Sequence, residues 1–81
     1  MGKGRMMYLG WWDDNPKKAS SVKITEAIDA YMDRFRTRPN VVLVNEADSN
    51  AGEFSGVNIR VESYIRKNNF WVGFEEPNTL R

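Results

Sequence analysis

The chain has 81 residues, a net charge of +1, and neither cysteine nor histidine. These absences exclude disulfide frameworks, zinc ribbons, thiol nucleophiles and Ser-His-Asp triads. No segment approaches the roughly 20 apolar residues of a membrane span, and nothing resembles a signal peptide, so we expect a cytoplasmic protein without a membrane partner. The length fits a single small domain over residues 1–81, with flexible ends at 1–4 and 77–81.

The first two predicted elements are a strand and a helix. Residues 5–12 (RMMYLGWW) are mostly apolar and aromatic, which is typical of a strand. Residues 13–16 (DDNP) then form a turn. From Ser20 to Arg36 an apolar stripe predicts a helix that packs one side on the sheet. The stripe consists of Ile24, Ala27, Ile28, Tyr31 and Phe35.

Two starts of this helix remain open. Ser20 or Ser21 could cap the first turn by accepting a hydrogen bond from an unpaired backbone N–H. Alternatively, Asn15 could be the cap, with Pro16 as the first helical residue. Pro39 stops the helix in either case, because the residue before a proline avoids helical geometry.

Three further strands follow the helix. Residues 41–44 (VVLV) are typical of a buried central strand. Strand, helix and apolar strand form a β-α-β unit, so the first two strands should run parallel. Residues 45–56 are a polar loop with one short helical turn near 47–51. Residues 57–65 and 70–75 alternate between apolar and polar side chains, as half-buried strands do.

A short connection between the last two strands predicts a hairpin. A two-residue turn would place Glu62 opposite Glu75, whereas a four-residue loop pairs Arg60 with Glu75 and Tyr64 with Trp71. We prefer the second register because it joins opposite charges and aromatic rings.

The predicted fold is therefore α+β, with the order β-α-β-β-β and a four-stranded mixed sheet. One main helix packs on one face of this sheet. Because one helix covers only one face, the other face must be bare, closed by the loop, or covered by a second molecule.

Strand alternation directs aromatic and basic side chains to the uncovered face. Strand neighbours point to opposite sides, so only one of Trp11 and Trp12 faces outward, and we assign Trp12. Exposed rings beside cations suit a protein interface, and they also suit single-stranded nucleic acid. The rings could instead pack on each other and on the loop. The predicted interaction face consists of Trp12, Arg60, Tyr64, Arg66, Lys67 and Trp71.

Carboxylates follow the first two strands. In an open α/β sheet, sites form beyond the carboxyl ends of parallel strands. If these strands are neighbours, four acidic residues meet there and could hold Mg²⁺ for phosphoryl chemistry. Ordinary turn and loop chemistry is the interpretation we favour, so we expect no metal and no cofactor. The metal candidates are Asp13, Asp14, Glu46 and Asp48.

The leading hypothesis is a non-enzymatic module that binds a protein, a second copy of itself included, through the uncovered sheet face or edge. It is based on one helix for four strands, a surplus of aromatic residues, and the absence of the usual catalytic residues. The alternative is single-stranded nucleic-acid binding through the same aromatic and basic face. The second alternative is a carboxylate–Mg²⁺ phosphoryl enzyme.

Overall fold

The computed structural model describes residues 8–76. The end segments 1–4 and 77–81, and the first residues of the predicted first strand, lie outside this range. The elements agree with the predicted α+β fold of one helix and a four-stranded mixed sheet. They are β1 (Tyr8–Trp12), α1 (Ser20–Phe35), β2 (Val41–Val44), a 3₁₀ turn (Glu46–Asp48), β3 (Asn58–Val61) and β4 (Asn69–Gly73). No helix in the described range is long and apolar enough to cross a membrane.

The strands lie in the order β1-β4-β2-β3. β4 is antiparallel to both of its neighbours, β1 and β2. β1 and β2 therefore run parallel to each other, as predicted, but β4 lies between them. β3 runs parallel to β2 and forms the second edge of the sheet. The last strand of the sequence is thus a central strand of the sheet.

The predicted hairpin between the last two strands is wrong. β3 ends at Val61, and the chain then turns across one face of the sheet before β4 begins. The physical reason is burial. Phe70 and Val72 of β4 are fully buried, which a central position provides. β3 carries Asn58 and Arg60, which an edge position leaves close to water. Alternation predicts which side a residue faces, but not which strand becomes central.

α1 builds the main core on one face of the sheet. Its predicted apolar stripe is confirmed, and Phe35 and the loop residue Phe54 pack at its margin. The strand side chains below it come from β2 and β4, because every second residue of a strand points to the same face. The buried residues of this core include Ile24, Ala27, Ile28, Tyr31, Val42, Val44, Phe70 and Val72.

α1 begins at Ser20, as the predicted span has it, but neither predicted cap forms. Its N-cap is Ala19, whose methyl group cannot accept a hydrogen bond from the first turn. The Ser20 hydroxyl instead donates to Asp48 at 3.0 Å. Asn15 closes a separate turn by accepting from the Lys17 N–H at 2.9 Å. Ser20 and Asn15 are therefore used in other contacts, and Ser21 lies within the first turn of α1.

Candidate functional site

The sheet face opposite α1 is partly covered by the turns that follow β3. Ile65 packs there on Val41 and Leu43, with Tyr8 beside them, and forms a second small core. The alternation predicted over residues 57–65 would place Ile65 on the same face as Ile59, and this part of the prediction is wrong, because Ile59 packs against the main core on the other face. The strand ends at Val61, so the alternation does not extend to Ile65.

A hydrogen-bonded network around Glu75 holds one half of this open face. Both terminal guanidinium nitrogens of Arg60 donate to the Glu75 carboxylate, at 3.0 and 2.6 Å. The Arg60 Nε donates to Glu62 at 3.1 Å, and the Tyr8 hydroxyl donates to Glu75 at 2.7 Å. The predicted contact between Arg60 and Glu75 therefore exists, although the predicted hairpin does not.

This network shifts the pKa values of its members. Hydrogen bonds from Arg60 and Tyr8 hold the pKa of the Glu75 carboxyl below its ordinary value. Burial, followed by the hydrogen bond to Glu75, raises the pKa of Tyr8 to about 12. The hydrogen bond to Glu75 is also the main cause that raises the pKa of Arg60. At neutral pH the fold thus contains an ion pair and a neutral phenol.

Gly73 leaves the space that the Tyr8 ring occupies. The two residues are cross-strand partners, and a β-carbon built on Gly73 would lie 2.5 Å from a ring carbon of Tyr8. Gly10 is less constrained, because its β-carbon would lie 3.9 Å from the Trp71 Nε1, an ordinary contact. The position of the Tyr8 ring therefore depends on glycine at 73 but not at 10.

The other half of the face carries exposed aromatic rings. Trp12 is 64% exposed, Tyr64 63% and Trp71 42%. The Tyr64 and Trp71 ring centroids lie 6.4 Å apart in an edge-to-face arrangement, and Trp12 is the cross-strand partner of Asn69. Trp11 packs against the main core on the opposite side. The outward direction assigned to Trp12 is thus the one observed. We call Trp12, Tyr64 and Trp71 the ring half.

A shallow cleft of about 220 Å³ opens within the ring half. The exposed Arg66 and Lys67 follow Tyr64 in the adjoining turn, and neither forms an ion pair with another described residue. The cleft is therefore bordered by both aromatic and cationic groups. Its lining residues are Tyr64, Ile65, Arg66, Asn69 and Trp71.

The acidic candidates do not converge. β4 separates β1 from β2, so the residues that follow these two strands are not brought to one point. Asp13 accepts from the Asn15 N–H at 2.9 Å and lies 3.4 Å from the Lys18 Nζ. That backbone hydrogen bond is the main cause that lowers its pKa. Asp14 and Glu46 are exposed. Over residues 8–76, no group of three or more acidic side chains could hold a metal ion.

Asp48 anchors two elements, a role that the sequence did not indicate. It is 4% exposed and accepts from the Ser20 hydroxyl at 3.0 Å and from the Asn68 N–H at 2.9 Å. Asn68 has a φ of 68°, a left-handed conformation that asparagine adopts more readily than most residues. Its side-chain oxygen accepts from the buried Lys23 at 3.3 Å. Asp48 therefore joins the start of α1 to the turn that leads into β4.

Comparisons with protein-family models, with curated proteins and with solved structures found no match. An open mixed sheet with one helix is compatible with many activities, so the fold selects none of them. The groups that bear on function are therefore those of the open face, its exposed rings and its ion pair.

Replacing Gly73 with alanine is expected to destabilise the fold by about 1–3 kcal/mol. The new methyl group must displace the Tyr8 ring and with it the hydrogen bond to Glu75. Urea denaturation measures the loss. The matched control is Gly10→Ala, which is expected to stay within about 0.5 kcal/mol of the wild type. Equal losses in both variants would contradict the packing described here.

Replacing Tyr8 with phenylalanine is expected to lower the free energy of unfolding at neutral pH, and to lower it less at alkaline pH. The folded-state pKa of about 12 lies above the ordinary 10.0, so the neutral hydroxyl stabilises the fold below pH 10. This contribution is lost as the pH rises from 10 to 12. We expect the wild type to be about 1 kcal/mol more stable near neutral pH, and the difference to shrink across that interval. Denaturation curves at several pH values provide the measurement. A difference in stability between wild type and Tyr8→Phe that stays constant with pH would contradict the raised pKa of Tyr8.

Proposed function

We propose that the chain is a non-enzymatic module that binds a protein through its open sheet face. The observation that carries the proposal is the exposure of three large rings on one half of that face, Trp12, Tyr64 and Trp71. Tryptophan and tyrosine are the residues that most often anchor protein interfaces. Their rings cover a large area while immobilising few rotatable bonds, so binding costs little conformational entropy.

The charges around the rings support a protein partner over a nucleic acid. Arg60 is held by Glu75 and Glu62, so its guanidinium is already neutralised within the chain. The same two carboxylates add negative charge to the face, which disfavours a phosphate backbone. Arg66 and Lys67 remain as exposed cations beside the rings. They suit the polar rim of a protein interface, which is typically charged and wet.

The proposal requires no catalytic group, metal or cofactor. The phosphoryl-enzyme alternative receives no support, because β4 separates the strands whose carboxylates it would combine. A cytoplasmic location stays a prediction from the sequence.

Removing single rings is expected to weaken binding while leaving the fold intact. A displayed library of random peptides, selected on the immobilised wild-type chain, supplies ligands for the face. We expect Tyr64→Ala and Trp71→Ala each to weaken the selected peptides by about tenfold or more, as anchor residues do. Titration calorimetry measures the affinities.

The control variant is Val22→Ala, since Val22 is an exposed apolar residue on α1, outside the ring half. It should bind the peptides as the wild type does. Peptides that bind all three variants equally, or a library that yields no binders, would count against the proposal.

Single-stranded nucleic acid is a second candidate, favoured by the cleft within the ring half. The cleft is bordered by Tyr64, Trp71 and Arg66. A base could stack on one of the rings while the guanidinium reaches the adjacent phosphate. Such binding would weaken steeply with salt, because phosphate contacts release counterions.

An amide-resolved NMR titration with a short degenerate single-stranded oligonucleotide at low salt separates the two candidates. If the partner is a protein, the amide signals of the ring half, Arg66 and Lys67 should not shift. Shifts that cluster on these residues, disappear at high salt and weaken in Arg66→Gln would establish the second candidate in place of the first.

A further inference from the structure

The outer edge of β1 presents backbone hydrogen-bonding groups that nothing pairs within the described part of the chain. The Asp13 N–H donates to the Asn68 carbonyl of the neighbouring segment at 3.0 Å. Successive residues of a strand direct their backbone groups to opposite sides, so Leu9 and Trp11 also turn theirs toward β4. The groups that point outward belong to Tyr8, Gly10 and Trp12.

β1 lacks the features that usually protect an edge strand. It contains no charged residue and no proline, and it pairs with β4 residue for residue without a bulge. The opposite edge, β3, is one residue shorter and begins with the exposed Asn58, a residue type that is depleted in strands. β1 is therefore the edge that is better suited to accept a further strand.

We propose that a second copy of the chain occupies this edge, with its β1 antiparallel to the first about a twofold axis at Gly10. The proposal goes beyond the proposed function, because it concerns the sheet edge and leaves the Tyr64 and Trp71 rings of the open face uncovered. The two copies of Gly10 then lie opposite each other, and Trp12 lies opposite the second copy's Tyr8. Each outward-pointing residue both donates and accepts a hydrogen bond across the new pair.

Two properties of β1 favour a second copy over an unrelated strand. The strand is uncharged, so two identical copies bring no like charges together, which is a condition that self-pairing must meet. Gly10 at the axis has no side chain, and the pairs on either side are aromatic on the open face. Trp12, the most exposed ring in the described chain, gains a cross-strand aromatic neighbour, while Tyr64 and Trp71 stay free.

A single introduced cysteine tests the register, since the chain has none of its own. In the twofold pair, Gly10→Cys places two thiols on opposite residues whose Cα atoms are about 5.5 Å apart, within the range of a disulfide. We expect Gly10→Cys to oxidise to a covalent dimer about tenfold faster than Asp33→Cys, an exposed position on α1. Equal oxidation rates would overturn the inference.

Sedimentation equilibrium tests the pairing without a crosslink. Wild type and Gly10→Ala keep the outward N–H of residue 10. Both are expected to sediment as dimers, with twice the mass of one chain. Gly10→Pro removes that donor and fixes φ at about −65°, a change that edge strands tolerate, and is expected as a monomer with an unchanged circular dichroism spectrum. If this variant fails to fold, Trp12→Lys provides the same test by placing a charge at the edge.

A wild type that is monomeric at all concentrations would overturn the second-copy proposal. The peptide titration with Tyr64→Ala decides the protein-binding function separately, because Tyr64 belongs to the turn that follows β3 and does not pair with β1. Failure of one proposal is therefore distinguishable from failure of the other.

Discussion

One helix cannot cover both faces of a four-stranded sheet, and the rest of the molecule follows from this constraint. α1 buries the face formed by alternate residues of β2 and β4. The opposite face is closed by other means. Ile65 folds over Val41 and Leu43, and Arg60 reaches past β2 to Glu75. What these groups leave open is occupied by aromatic rings, which is why a chain of this size exposes so much apolar surface.

The two halves of the open face support each other. The Arg60–Glu75 pair has the bidentate geometry of a strong ion pair, but its partial exposure to water reduces its contribution to stability. Its clearer effect is orientation, because Glu75 also holds the Tyr8 hydroxyl. The Tyr8 ring in turn lies 6.4 Å from the Trp71 ring, and Trp71 contacts Tyr64. The Trp71 and Tyr64 rings thus pack against neighbouring rings before any partner arrives, which lowers the entropy cost of binding.

Local periodicity predicts the helix, the buried β2 strand and the outward rings, because each depends on spacing alone. The strand order does not depend on spacing, so it could not be read from the sequence. Two contacts were nevertheless predicted correctly through the wrong hairpin, Tyr64 with Trp71 and Arg60 with Glu75. In the observed sheet, Arg60 and Trp71 are the cross-strand neighbours of Leu43 on its two sides. Their side chains therefore share the open face, where they meet Glu75 and Tyr64 respectively. Asp48, which joins the start of α1 to the turn before β4, has hydrogen-bond partners that are distant in sequence. No local sequence pattern therefore predicts its role.

The central position of β4 ties completion of the sheet to the synthesis of residues 69–73. Until residues 69–73 have been synthesised, β1 and β2 have no strand between them, and the apolar side of α1 has little to cover. The pairing of Tyr8 with Gly73 joins opposite ends of the sequence, and such distant contacts form slowly. During translation, the apolar segments of β1, α1 and β2 therefore stay uncovered until residues 69–73 have left the ribosome, a period in which they are open to misassembly. Among the strands of the described residues, β1 is synthesised first and its partner β4 last, so β1 is without a neighbouring strand for the longest time.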